Sequence, residues 1–146
     1  GVDGLSDRQV WVHSFEAERG WNGPSNNEWS HQANSYVLHT IGELQFEVHC
    51  TPGHTPGSQC FLVDNKLVAG DTLFLDGCGR TDLPGGDPRQ MYESLTTRLA
   101  KVPDTATLFP GHLYSPKSCQ SMGETRQHNY VFAPNSAEQW MAMFGG

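Results

Sequence analysis

The chain is 146 residues long and carries nine Lys and Arg against sixteen Asp and Glu, for a formal net charge of −7. Apolar residues make up 36% of it, alongside 16 Gly and 9 Pro, which fits one loop-rich α/β domain better than a helical bundle. The acidic balance argues against a nucleic-acid or anionic-membrane partner, because nothing would neutralise the phosphates, and no apolar run approaches the roughly 20 residues that span a bilayer.

In chain order, residues 1–9 read as a loop or short helix, residues 10–12 as a short strand, and residues 14–18 as the start of a helix capped by Ser14. Residues 20–35 are polar, with Gly, Pro, Asn and two Trp (Trp21 and Trp29), and read as a long surface loop. Text from Ile41 is strand-like: Leu44, Phe46, Val48 and Cys50 alternate with Gln45, Glu47 and His49, the period-2 pattern of a half-buried strand. On that phase His49 faces solvent. Residues 59–63 and 66–69 form two short apolar runs joined at Asp64-Asn65, a two-residue hairpin signal.

Residues 76–87 are rich in Gly and turn formers. Asp87 is placed to cap a helix whose first turn holds Pro88. Met91, Leu95, Leu99 and Val102 then recur on one helical face that ends near Lys101. Residues 107–109 form a strand feeding Pro110-Gly111-His112, and residues 136–144 a second amphipathic helix with Trp140, Met141 and Phe144 on one side.

Cys50, Cys60, Cys78 and Cys119 show no C-x-x-C spacing and are too few for a disulfide scaffold. That points to a reducing compartment and so to the cytoplasm. No signal or transit peptide is visible. The start at Gly1 without Met is read as processing, truncation or a fragment.

His54, Asp71 and His112 each sit on a Gly- or Pro-rich turn after a strand-like segment. Imidazole nitrogen and carboxylate oxygen suit Zn²⁺ or Fe²⁺. Each of the three is ambiguous alone, since Asp and His are ordinary turn residues. Jointly, at the C-terminal ends of strands, they stand where open α/β sheets place their sites.

The order TPGHTPGS, AGDTLF, GCGR and PGH-x-Y resembles the metallo-β-lactamase superfamily, closest to its glyoxalase II-like branch of thioester hydrolases. It is also similar to the persulfide dioxygenases, through the CGRTD string at Cys78 to Asp82. The words around Ser121 to Arg126 look like hydrolases of polyketide-synthase clusters. The resemblance runs from Pro52 to Asn129 and implies a partial αββα sandwich, built as a single domain over residues 1–146. It implies that His54 is a ligand of a first metal, Asp71 the catalytic bridging carboxylate, and His112 a ligand of a second metal. Zinc is the expected metal, two ions per complete site, with iron or manganese as alternatives. Arg80 and Tyr114 would bind a small-molecule thioester, glutathione- or carrier-linked. Arg80 could instead pair with Asp82 or Asp87 at the surface, and Tyr114 could be a core aromatic.

His13, His31, His39 and His128 have no ligand spacing, and Cys78 in its Gly-Cys-Gly turn lacks an assignable base. The family's upstream H-x-H-x-D-H string is absent. The expectation is therefore the C-terminal part of such a domain, with the first strands and first ligand cluster missing. Such a piece would bind metal weakly, be inactive alone, and expose a sheet face to a missing N-terminal half. Two other readings remain: a mononuclear iron dioxygenase using two histidines and Asp71 without His112, and a non-catalytic binding module that uses residues 20–35 as its contact surface.

Overall fold

A computed structural model describes residues 11–13, 27–29 and 36–145, divided between two units, Gly1–Ala33 and Asn34–Gly146. In the first unit, β1 (Trp11–His13) pairs in parallel with β2 (Asn27–Trp29), with Trp11 opposite Asn27 and His13 opposite Trp29. The stretch read as a long loop therefore contains a strand. Its partner among the described residues, β1, is not its neighbour along the chain, so no local pattern announces it. The helix expected at residues 14–18 and the loop at residues 1–9 lie outside the described residues.

The second unit holds a six-stranded sheet in the order β3 (Tyr36–Ile41), β4 (Leu44–Cys50), β5 (Gln59–Val63), β6 (Lys66–Gly70), β7 (Thr107–Pro110) and β8 (Gln120–Ser121). The β6–β7 pair is parallel and the others are antiparallel. The β5–β6 hairpin turns where expected. Asp64 and Asn65 have φ of 46° and 57°, the left-handed pair of a tight hairpin turn that Asn and Asp tolerate best.

Between β6 and β7 the chain crosses over through α1 (Pro88–Glu93). The Asp87 carboxylate accepts from the backbone N–H groups of Arg89 and Gln90 at 2.9 and 3.0 Å, satisfying two of the donors that a helix start leaves open. The helix widens into a π segment over Ser94–Arg98 and tightens into a 3₁₀ turn over Leu99–Lys101. Met91, Leu95, Leu99 and Val102 stay on one buried face throughout. Arg126, on α2 (Met122–His128), closes the far end by donating to the carbonyls of Leu99 and Val102 at 2.8 and 2.7 Å. Its guanidinium also pairs with Asp104. A 3₁₀ turn (Tyr130–Phe132) leads on to α3 (Ala137–Phe144), whose N-cap is Ser136.

Cross-strand register sorts the sheet into two faces. Leu62, Leu67 and Leu108 lie opposite one another on one face and pack with Met91, Leu95, Leu99 and Trp140 in the main core. Val48, Phe61, Val68 and Phe109 share the other face. There Val68 and Phe109 remain 47% and 37% exposed. A sheet apolar on both faces is the middle layer of a sandwich rather than a half-solvated one.

This two-faced pattern corrects the reading of His49. It is 3% exposed, not solvent-facing. Its partner across the ladder is Cys60, so the polar phase of β4 points into the helix-covered core, while Phe46 and Val48 point to the second face. Burial lowers the His49 pKa; the Glu47 carboxylate, 3.0 Å from Nε2, opposes that shift by hydrogen bond and charge, and Lys101 adds to it.

A lowered folded-state pKa means that the unfolded chain binds the proton more readily, so His49 adds stability above the ordinary value of about 6.5 and loses it as pH falls through the lowered one. Urea midpoints measured from pH 7.5 down to pH 5 should therefore fall more steeply for the native sequence than for His49→Gln. Parallel curves would contradict the burial argument.

Candidate functional site

Strands β4, β6 and β7 run in the same direction, because β5 reverses once between β4 and β6, and β6 and β7 are parallel. Their C-terminal ends open at one edge of the sheet, and each carries one of the three predicted ligands on the turn that follows it.

The turn bearing His54 closes through Thr51 N–H to the Ser58 carbonyl at 2.8 Å and Ser58 N–H to the Thr55 carbonyl at 3.3 Å. It lies directly on α1. The Ser94 hydroxyl donates to the Pro52 carbonyl at 2.7 Å, and the Asp87 N–H donates to the Gly53 carbonyl at 2.8 Å. Gly53 has φ of 147°, and a Cβ there would fall 2.5 Å from the Met91 Cα. Only glycine lets the helix approach this closely.

Asp71 follows Gly70, and the Gly111 N–H donates to the Gly70 carbonyl at 2.8 Å, bringing the His112 turn alongside. A Cβ on Gly111 would sit 2.7 Å from Asp71 Oδ1. The buried hydroxyls of Thr51 and Thr72 meet at 2.9 Å, joining the turn after β4 to the turn after β6.

The three side chains come together as two pairs. His54 Nε2 lies 3.6 Å from Asp71 Oδ2, and His112 Nε2 lies 3.2 Å from Asp71 Oδ1. The carboxylate thus turns a different oxygen to each imidazole. Among the described residues no group of three or more His, Cys, Asp or Glu side chains is drawn together as around one metal ion.

The chemistry of the donors nevertheless fits a cation. His54 Nδ1 lies 2.8 Å from the Arg80 carbonyl, which can only accept, so Nδ1 carries the proton. In the neutral ring Nε2 is then a lone pair facing a carboxylate oxygen. Two electron-rich atoms so placed are stabilised by a positive charge between them, and a histidine whose second nitrogen donates to a backbone carbonyl is the usual form of a metal ligand.

Around this group is a concavity of about 440 Å³, bounded also by Phe74, Arg80, Tyr114 and Tyr130. Tyr114 stacks on His112 with ring centres 5.2 Å apart, and Phe74 meets Tyr114 edge-on at 5.1 Å. Tyr114 is 67% exposed, so it forms the rim and not the core. Arg80 pairs with Asp82 through Nε and Nη2 at 2.9 and 2.6 Å, the surface alternative raised for it above. The Cys78 thiol is pushed up to about 11 by burial, so it carries no nucleophilic thiolate near neutral pH. His128 is tied to its own helix through the Glu124 carbonyl. The side chains of His13, His31 and His39 lie outside the described residues.

Asn129 was not legible as part of this site. It is 3% exposed. Its Nδ2 donates to the carbonyls of Phe74 and Gly77, both at 3.0 Å, while Oδ1 accepts from the N–H groups of Gly77 and Val131 at 2.9 and 3.1 Å. One amide therefore holds the turn that carries Phe74, Asp76 and Cys78 into the concavity. Its only sequence signal is an Asn just after a helix, which is too common to read.

The sequence pattern of the metallo-beta-lactamase superfamily matches residues 13–112. A probable polyketide biosynthesis zinc-dependent hydrolase of Bacillus subtilis is 29% identical over 102 residues, covering 70% of this chain and 45% of that protein. A hydroxyacylglutathione hydrolase of Pseudomonas savastanoi is 39% identical over 103 residues, covering 68% of this chain and 39% of that protein. The crystal structure of ETHE1 from Myxococcus xanthus superposes with a TM-score of 0.76 at 31% identity, covering 97% of this chain and 59% of that one; ETHE1 of the mouse is a persulfide dioxygenase. The chain spans less than half the length of these two curated hydrolases.

Replacing Asn129 with Ala removes four bonds at a buried position and should cost about 2–3 kcal/mol in urea unfolding. A loss below about 1 kcal/mol would show that the turn holds itself.

Proposed function

Because the chain belongs to the metallo-β-lactamase superfamily, we propose that the protein it represents is a metal-dependent hydrolase of thioesters, with a glutathione- or carrier-linked acyl group as substrate. The observation that carries this is the Asp71 carboxylate offering one oxygen to His54 and the other to His112, with the His54 tautomer set by the Arg80 carbonyl. In this reading His54, Asp71 and His112 hold divalent ions, zinc first among them. Bound ions of that kind polarise a carbonyl and lower the pKa of water.

The chain's own residues do the rest. The Arg80 carbonyl accepts from His54 Nδ1, so it turns Nε2 toward Asp71 and fixes the ring plane. The Thr51–Thr72 hydroxyl pair holds the first two turns in register, so the imidazole and the carboxylate keep their spacing. Phe74 and Tyr114 wall one side and limit rotation of His112. The Arg80–Asp82 pair is exposed on both sides, and such pairs contribute little, so a substrate carboxylate can take the place of Asp82 on the guanidinium. Water adds across the acyl C–S bond, releasing a carboxylate and a thiol.

Two further parts of the reading have independent support. The exposed Val68 and Phe109 suit cover by another part of the same domain, which would also supply the remaining ligands. Four free thiols at Cys50, Cys60, Cys78 and Cys119 suit a reducing compartment, the cytoplasm.

A second reading is the mononuclear iron persulfide dioxygenase, favoured by the CGRTD string and by the likeness to ETHE1. The full-length protein separates them. The hydrolase reading expects two metals per chain and thiol release from thioesters without oxygen uptake, with Asp71→Asn lowering the rate at least about 100-fold. One iron per chain with persulfide-dependent oxygen consumption, unaffected by His112→Gln, would replace it with the dioxygenase.

A further inference from the structure

Resting on His54 as a metal ligand, which it is in both readings above, we propose that Ser94 and Arg98 are positioning residues for that imidazole and set how tightly its ion is held. Neither side chain lines the concavity; both act through the backbone that leads into His54.

His54 follows Gly53, and glycine has the widest backbone freedom of any residue. Two peptide planes flank that glycine, one carrying the Pro52 carbonyl and one its own. The same helical element pins both. The Ser94 hydroxyl donates to the Pro52 carbonyl at 2.7 Å, and the Asp87 N–H donates to the Gly53 carbonyl at 2.8 Å. Farther back, where β4 ends, Arg98 Nη1 donates to the Cys50 carbonyl at 3.1 Å. Donors at 87, 94 and 98 thus meet carbonyls at 53, 52 and 50, so the helix runs back along the strand exit and grips it from its cap to the end of the π segment. With both flanking planes fixed, Gly53 cannot rotate, and the imidazole one residue on keeps its aim at Asp71.

The two side chains are better explained by direction than by stability. Ser94 is fully buried and opens the π segment, in which the Leu99 N–H bonds back to the Ser94 carbonyl. Widened turns of this kind recur at functional sites. The Arg98 side chain is only 16% exposed, with Glu93 3.4 Å from Nη2, and its Nε is buried without a partner among the described residues. A guanidinium so buried and incompletely bonded stabilises a fold poorly. What its rigid fork supplies is a fixed orientation for the carbonyl it holds, and local rules are broken most often where function requires it.

The test uses the full-length protein and Zn²⁺ alone. Competition with a chromogenic chelator measures zinc affinity, and urea unfolding of the metal-free protein measures stability. Ser94→Ala removes the hydroxyl, and Arg98→Met removes the fork while keeping an apolar stem. Each should weaken zinc binding about tenfold, the lower end of what losing a group behind a metal ligand costs. Val102→Ala thins the same buried helical face beyond these contacts; it should lower the urea midpoint and leave zinc affinity unchanged. In thioester kinetics Ser94→Ala and Arg98→Met should lower turnover at limiting zinc and leave KM unchanged, because neither side chain reaches substrate. Unchanged zinc affinity in either variant that folds overturns the proposal, and so does an equal loss in Val102→Ala. If zinc affinity falls as expected but no thioester is cleaved, the positioning role stands and the hydrolase reading falls. If thioesters are cleaved and zinc affinity ignores both substitutions, the hydrolase stands and the positioning role falls.

Discussion

Strands that run the same way must end at the same edge of a sheet, and that constraint organises this protein. β4, β6 and β7 share a direction, so the turns that follow them crowd into one place. What keeps the crowding productive is a short set of polar links: the Thr51–Thr72 hydroxyl contact, the Gly111–Gly70 backbone bond and the His54–Arg80 carbonyl bond. Each ties together segments distant in sequence, and each is directional, so it fixes orientation as well as distance. Hydrophobic burial could assemble the sheet without them, but it could not aim an imidazole at one particular carboxylate oxygen.

Close approach is the second requirement, and glycine meets it. Gly53 lies against α1 and Gly111 against the Asp71 carboxylate, while a Cβ on Gly79 would fall 1.8 Å from the Asp71 backbone oxygen. Side chains at these points would push apart the turns that the polar links hold. Asn129 works from outside in the same sense. By satisfying all four of its bonding capacities with backbone groups, it fixes the turn after Asp71 as a wall.

The surface that results has two characters. Toward Asp71 it is polar, lined by the carboxylates of Asp71 and Asp76 and the imidazoles of His54 and His112. Toward α3 it is aromatic and carries little positive charge. The back of the sheet has a third character: Val68 and Phe109 leave it apolar and partly exposed, as expected of the inner layer of a sandwich.

What the sequence determined by itself was the local part. Asp64-Asn65 specified the hairpin, because those two residues bear left-handed backbone. Asp87-Pro88 specified a helix start, because a carboxylate cap and a proline at the first turn suit unpaired N–H groups. The spacing of Met91, Leu95, Leu99 and Val102 specified a buried face, because helical period is a property of consecutive residues. The turns bearing His54, Asp71 and His112 were legible for the same reason, as was their likeness to a known family. Only the tertiary structure decided the rest. It put β2 inside an apparent loop, turned His49 inward, and enlisted Asn129. Each of those outcomes depends on a partner far along the chain or on which face of the sheet another layer covers, and neither is encoded in the pattern of neighbouring residues.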